Sequence, residues 1–147
     1  MKQALFLLIF AFLAFPTASV EKVGSHLFYA QLIRGTDSSQ PQETQWKPIG
    51  SKLSRRLSPL FRWKHYWEVN RVAIQVADFK PCKVRLSAER EVEIHLKPPQ
   101  VAEVHIYRNG ELQRESRQPL DTPMFIMGGE RTEDEAWFIV VRRDQPE

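Results

Sequence analysis

The chain has 147 residues, a formal net charge of +3, 42% apolar residues and one cysteine. That composition suits one domain with a modest core. It excludes a disulfide within the chain, because Cys82 has no partner. So small a charge excess also argues against nucleic acid, whose binders carry clustered, strongly basic surfaces.

The first nineteen residues read as an address. Lys2 is followed by the unbroken apolar run Ala4 to Phe15 and then by the small residues Ala18 and Ser19. This is the layout of a secretory signal peptide over residues 1–19, with an apolar run too short to span a bilayer. Cleavage after Ser19 leaves residues 20–147 as a single mostly-β domain, exported to the periplasm or beyond the cell. No cysteine flanks the cleavage site, so no lipid anchor is expected there. No other stretch is apolar and long enough to cross a membrane.

Leu27 to Arg34 is rich in apolar and aromatic residues and stops at Gly35, which predicts a strand buried on both faces over part of its length. A polar loop is expected over 37–46. Pro48 to Ser58 is the one helical segment, because Ile49, Leu53 and Leu57 recur every four residues. Pro48 suits a first turn, Ser51 is an alternative N-cap, and Pro59 ends the run. The stretch from Trp63 to Val76 is too long for one regular strand, and its apolar phase switches from odd to even positions. A bulge near Asn70 and Arg71 would repair the mismatch.

Val84 and Leu86 open a short strand. Arg90 to Leu96 then alternates cleanly, with Val92, Ile94 and Leu96 inward. Ala102, Val104 and Ile106 repeat that phase. Asn109 and Gly110 predict a type I′ hairpin turn, which needs positive φ at both positions. The returning arm, Glu111 to Arg117, is polar enough for an exposed edge strand. Met124 to Met127 is short and apolar. Trp137 to Val141 is a continuous apolar run suited to a central strand, and the charged end from Arg142 should be exposed. The expected fold is mainly β: an antiparallel β-sandwich or partly open barrel of seven or eight strands with one short helix.

Four places could carry function. Lys52, Arg55 and Arg56 lie off the apolar stripe of the helix, within a run from Lys47 to Lys64 that holds no acid. Such a face suits anionic headgroups, an acidic envelope polymer or an acidic protein surface; the ordinary alternative is a solvated outer face. Trp46, Phe61, Trp63, Tyr66 and Trp67 mix with these cations as in stacking platforms, although core packing explains them as well. If Trp67 and Val69 face inward, Tyr66 points out and is the better contact residue.

His95 and His105 face outward on neighbouring strands. One register sets them opposite each other with Glu103 nearby, a feasible zinc or copper set. A one-residue change in the loop instead pairs His95 with Glu103 in ordinary cross-strand contacts. Glu130, Glu133, Asp134 and Glu135 lack the ligand alternation of calcium loops and read as a solvated tip. Cys82 reads as a small buried apolar side chain, since nothing beside it in sequence would activate a thiol. No nucleophile elbow, His-Glu-x-x-His or phosphate-cradling glycine loop is present, so neither catalysis nor a cofactor is expected.

Taken together, Ala30 to Asp37, Leu60 to Arg71 and Asp134 to Asp144 make the chain resemble small exported bacterial proteins. The resemblance implies a self-contained domain in a bacterial envelope setting and carries over no functional residue. The expected role is non-catalytic binding as an accessory of the envelope or of a secretion assembly, with an envelope protein or an anionic envelope polymer as partner. Lys52, Arg55, Arg56 and Tyr66 would form the contact. The rival is a metal-dependent hydrolase or metal-binding protein using His95, His105 and Glu103.

Overall fold

The computed structural model describes residues 24–97 and 99–147; the stretch read as an export signal, 1–19, lies outside them. The elements in chain order are β1 (Ser25–Thr36), β2 (Lys47–Pro48), α1 (Ser51–Leu57), β3 (His65–Ala77), β4 (Cys82–Arg85), β5 (Arg90–Lys97), β6 (Val101–Arg108), β7 (Glu111–Pro119), β8 (Met124–Arg131) and β9 (Glu135–Arg142). The strands form a five-stranded sheet, ordered β2-β3-β1-β9-β8, and a four-stranded sheet, ordered β4-β5-β6-β7. All named pairings are antiparallel. The expected mainly-β sandwich with one short helix is therefore what forms, with nine strands rather than seven or eight. The additional pairing is the two-residue β2. Among the described residues no helix is long and apolar enough to cross a membrane.

The five-stranded sheet is covered on both faces, which explains why β1 and β9 are apolar at successive positions. Phe28, Leu32, Ile74, Ile139 and Val141 meet Val92, Ile94, Val104 and Ile106 of the other sheet in the main core. Ile33, Tyr66, Phe138 and Val140 face the opposite way and take Leu53 and Leu57 of α1. Full burial of each such aliphatic side chain contributes about 1.5–3 kcal/mol. A strand with water on one side would alternate; these do not, because each side has its own apolar partner.

The bulge in β3 falls one residue earlier than expected. Leu32 pairs with Asn70 and Ile33 with Glu68, leaving Val69 as the extra residue. The hairpin turn has the expected geometry, with φ 51° at Asn109 and 81° at Gly110. Edge strand β7 is polar and mostly exposed. Cys82 is free and half-buried against the main core.

Three expectations change. The helix covers seven residues rather than Pro48 to Ser58, because Pro48 pairs with Trp67 and Ile49 donates to the Tyr66 carbonyl, prolonging strand geometry. Gly50 takes the N-cap position, and the Ser51 N–H reaches the Glu147 carboxylate at 2.7 Å, so a distant acid caps this helix. The polar loop ends in a buried residue, Trp46, which meets Trp137 edge-on with centroids 6.2 Å apart. Lastly, the charged end is held down. Arg142 is 2% exposed, and Arg71 donates to the main-chain oxygens of Pro146 and Glu147.

Candidate functional site

The helix layer carries the first candidate surface. Leu53 and Leu57 anchor α1, which turns Lys52, Arg55 and Arg56 away from the sheet. Their surroundings differ. Lys52 Nζ lies 2.5 Å from Asp144 Oδ2. The Arg142 guanidinium, joined by Lys52, holds the Asp144 carboxyl far below the usual carboxylate range. Glu147 is drawn to the first turn of the helix, where the Ser51 N–H lowers its carboxyl and Arg55 adds a smaller pull. Arg56 makes no ion pair with a described residue, and Lys47 and Lys64 are likewise exposed without one. Two cations in the last turn are also favourable for the helix itself, where unsatisfied carbonyls concentrate negative potential.

Tyr66 does not join this surface. It is 6% exposed and lies in the core beneath the helix, 6.2 Å from the Phe138 ring. Burial pushes its phenol pKa up. The expectation of an outward Tyr66 assumed that one face of β3 met water. At this end of the sheet both faces are covered, so Trp63, Tyr66 and Trp67 are all buried. The exposed apolar group beside the cations is instead Leu60, at 66% exposure. Its N–H bonds to the Leu57 carbonyl and continues the helical turn, one turn beyond Arg56. Leu60 was legible as an apolar residue just past Pro59 and outside the 49/53/57 stripe. Arg62 stacks over Trp63 at 4.3 Å.

The outer face of the four-stranded sheet holds the second candidate. The register pairs His95 with Glu103 and Glu93 with His105, so the two histidines do not face each other. The convergent set is Glu103, His105 and Glu115, whose ligand atoms lie within 4.8 Å of one another. Glu115 comes from β7, and a bulge puts it there. Tyr107 pairs with Leu112 but Ile106 with Arg114, leaving Gln113 unpaired and bringing Glu115 opposite His105. Nothing in the local sequence marks that inserted residue.

Most of this set is already engaged by groups of the protein itself; the exception is His105 Nε2, a buried nitrogen that makes no hydrogen bond to a described residue. Glu103 is 4% exposed. It accepts from Lys97 Nζ at 2.8 and 2.9 Å and from Arg117 Nε at 2.9 Å. Lys97 foremost, then Arg117 and His105, hold its carboxyl below the usual range. His105 lies between Glu93, at 3.2 Å from Nδ1, and Glu103, at 3.1 Å from Nε2. A divalent ion at Glu103 would have to displace Lys97 or Arg117. These donors therefore fit a metal poorly and an ion-pair lattice well.

No family model, curated protein or solved structure matches this chain.

Proposed function

We propose that the protein is an exported, non-catalytic binding module of the bacterial cell envelope or a secretion assembly, and that it meets its partner through the helix layer. The observation that carries this reading is that Arg55 and Arg56 of α1, with Lys47, Lys64 and the apolar Leu60 in the flanking segments, are exposed, while Asp144 and Glu147 are engaged at the first turn of the helix. The complementary partner is an acidic envelope protein or an anionic envelope polymer. Charge at the rim steers encounter and sets orientation, and one desolvated apolar group slows dissociation. Leu60 takes the anchoring role that Tyr66, being buried, does not fill.

The export signal at residues 1–19 supports the compartment. Fractionation with N-terminal sequencing tests it, and cytosolic protein retaining Met1 would remove the envelope setting. For the binding face, the test is recovery of partners after in-cell cross-linking with the double variant Arg55→Glu/Arg56→Glu. The expected result is lost recovery from a protein that remains folded, with a melting temperature lowered by only a few degrees through the loss of two favourable last-turn cations. Unchanged recovery would remove this face from consideration.

The second reading is a metal-binding protein, favoured by the convergence of Glu103, His105 and Glu115. Stoichiometric zinc in purified protein, lost in His105→Ala, would establish it against the ion-pair lattice.

A further inference from the structure

A cleft of about 190 Å³ opens at one end of the sandwich, between β6 and β7 on one side and β1, β8 and β9 on the other. Its lower wall is aliphatic: Leu32, Ile106, Met127 and Ile139, all buried. Its charged lining among the described residues is Arg90, Arg108 and Arg114, with no acidic side chain among them. Arg90 and Arg108 are braced from outside the cleft by Glu89, and Arg90 also covers the Trp137 ring at 4.3 Å.

Arg114 is placed there by the β7 bulge. Glu111 and Leu112 follow the register set by the turn, opposite Arg108 and Tyr107. Had that register continued, Arg114 would lie opposite His105 on the outer face. The unpaired Gln113 shifts it by one, so Arg114 lies opposite Ile106, whose side chain points into the core. Bulges commonly re-aim a side chain in this way. The result is a long cation on the inner side of an edge strand, with no hydrogen bond or ion pair to another described residue, at the mouth of an apolar space.

We propose that this cleft is a binding site for a medium-chain aliphatic carboxylate, with the chain against Leu32, Ile106, Met127 and Ile139 and the carboxylate on Arg114. Charge complementarity selects an anion, and the aliphatic wall selects the body. Arg90 already covers the Trp137 ring and Lys83 the Tyr107 ring, which leaves an aromatic ligand less ring surface to stack on. Size selects the length: an apolar cavity of roughly 150 Å³ takes up benzene, so this one holds a chain of about six to ten carbons. A guanidinium supplies two parallel donors to a carboxylate, which fixes the head while the tail is held by burial alone. This site is separate from the helix layer, so either proposal stands if the other fails.

The test is calorimetric titration of the purified protein with octanoate, octan-1-ol and octylamine, each below its aggregation threshold. The expected order is one octanoate site, weaker octanol and no octylamine binding. Arg114→Glu should weaken octanoate by about tenfold or more, the loss of a charge-assisted contact. Arg56→Glu, with the same charge change on the helix, should leave it unaltered. Circular dichroism checks that Arg114→Glu remains folded; if it does not, Arg114→Gln replaces it and should still weaken binding. Absent octanoate binding, octylamine binding equal to octanoate, an unaltered Arg114 variant, or equal weakening by Arg56→Glu would each overturn the proposal.

Discussion

The outer face of the four-stranded sheet and the helix layer are both crowded with charge, yet they are built for different ends. On the sheet, acids and bases come from different strands and meet across them: Glu103 with Arg117 and His105 with Glu93 in register, and Glu103 with Lys97 on the diagonal. On the helix layer the cations follow one another in sequence, and the acids that reach them arrive from the far end of the chain and stop at the first turn. The difference teaches that charge density alone does not mark a binding surface. What matters is whether the fold has already supplied the counter-charge.

The sharpest way to break the comparison is to detach the helix. Leu53→Ala removes a fully buried side chain from the layer beneath the cations and should cost about 2–5 kcal/mol in denaturant unfolding. A loss under about 1 kcal/mol would mean that the helix is not docked as described.

The next effect is on the sheet face. Glu103→Gln leaves Lys97 and Arg117 without their shared carboxylate and should lower the melting temperature by a few degrees. An unchanged melt would show that the lattice adds nothing to stability. The same face contributes to acid sensitivity, together with Asp144 and Glu147. All three carboxyls are held below their ordinary values when folded. The unfolded chain therefore takes up protons first as pH drops. Their stabilisation is fully present above the unfolded carboxylate values of about 4 and is lost as pH falls through the lower folded values. Melting temperature should hold from neutral pH down to that range and then decline, less steeply in Glu103→Gln. A decline of equal steepness would take Glu103 out of the account.

The smallest effect on stability belongs to the proposed contact residues. Arg56→Glu should lower unfolding free energy by less than about 1 kcal/mol, the loss of one favourable cation in the last turn of an exposed helix end. A larger loss would mean that Arg56 has a structural role that the helix layer does not show.

Much of the architecture was legible because it rests on local pattern. Alternation at Val92, Ile94 and Leu96 placed β5, and Asn109-Gly110 placed the hairpin between β6 and β7. What escaped came from two sources. One is the third layer: with α1 on the far side of the larger sheet, β3 has no wet face near its start, and Tyr66 is buried where alternation placed it outside. The other is the inserted residue Gln113, which moves Glu115 onto His105 and turns Arg114 inward. Neither change has a signal in composition or period. The histidine register depended on the turn between β5 and β6, and of the two registers the sequence allowed, the one pairing His95 with Glu103 forms. The helix start was misplaced because Pro48 is equally at home in a first turn and on a sheet edge.

The most direct test of the central claim sets the two surfaces against each other in living cells. A photo-activated cross-linking residue is placed at position 56 on the helix in one variant and at position 115 on the sheet face in another. If the helix layer meets an acidic envelope partner, position 56 yields a discrete adduct that diminishes at high salt, and position 115 yields none. An adduct at position 115 with nothing at position 56 would contradict the account.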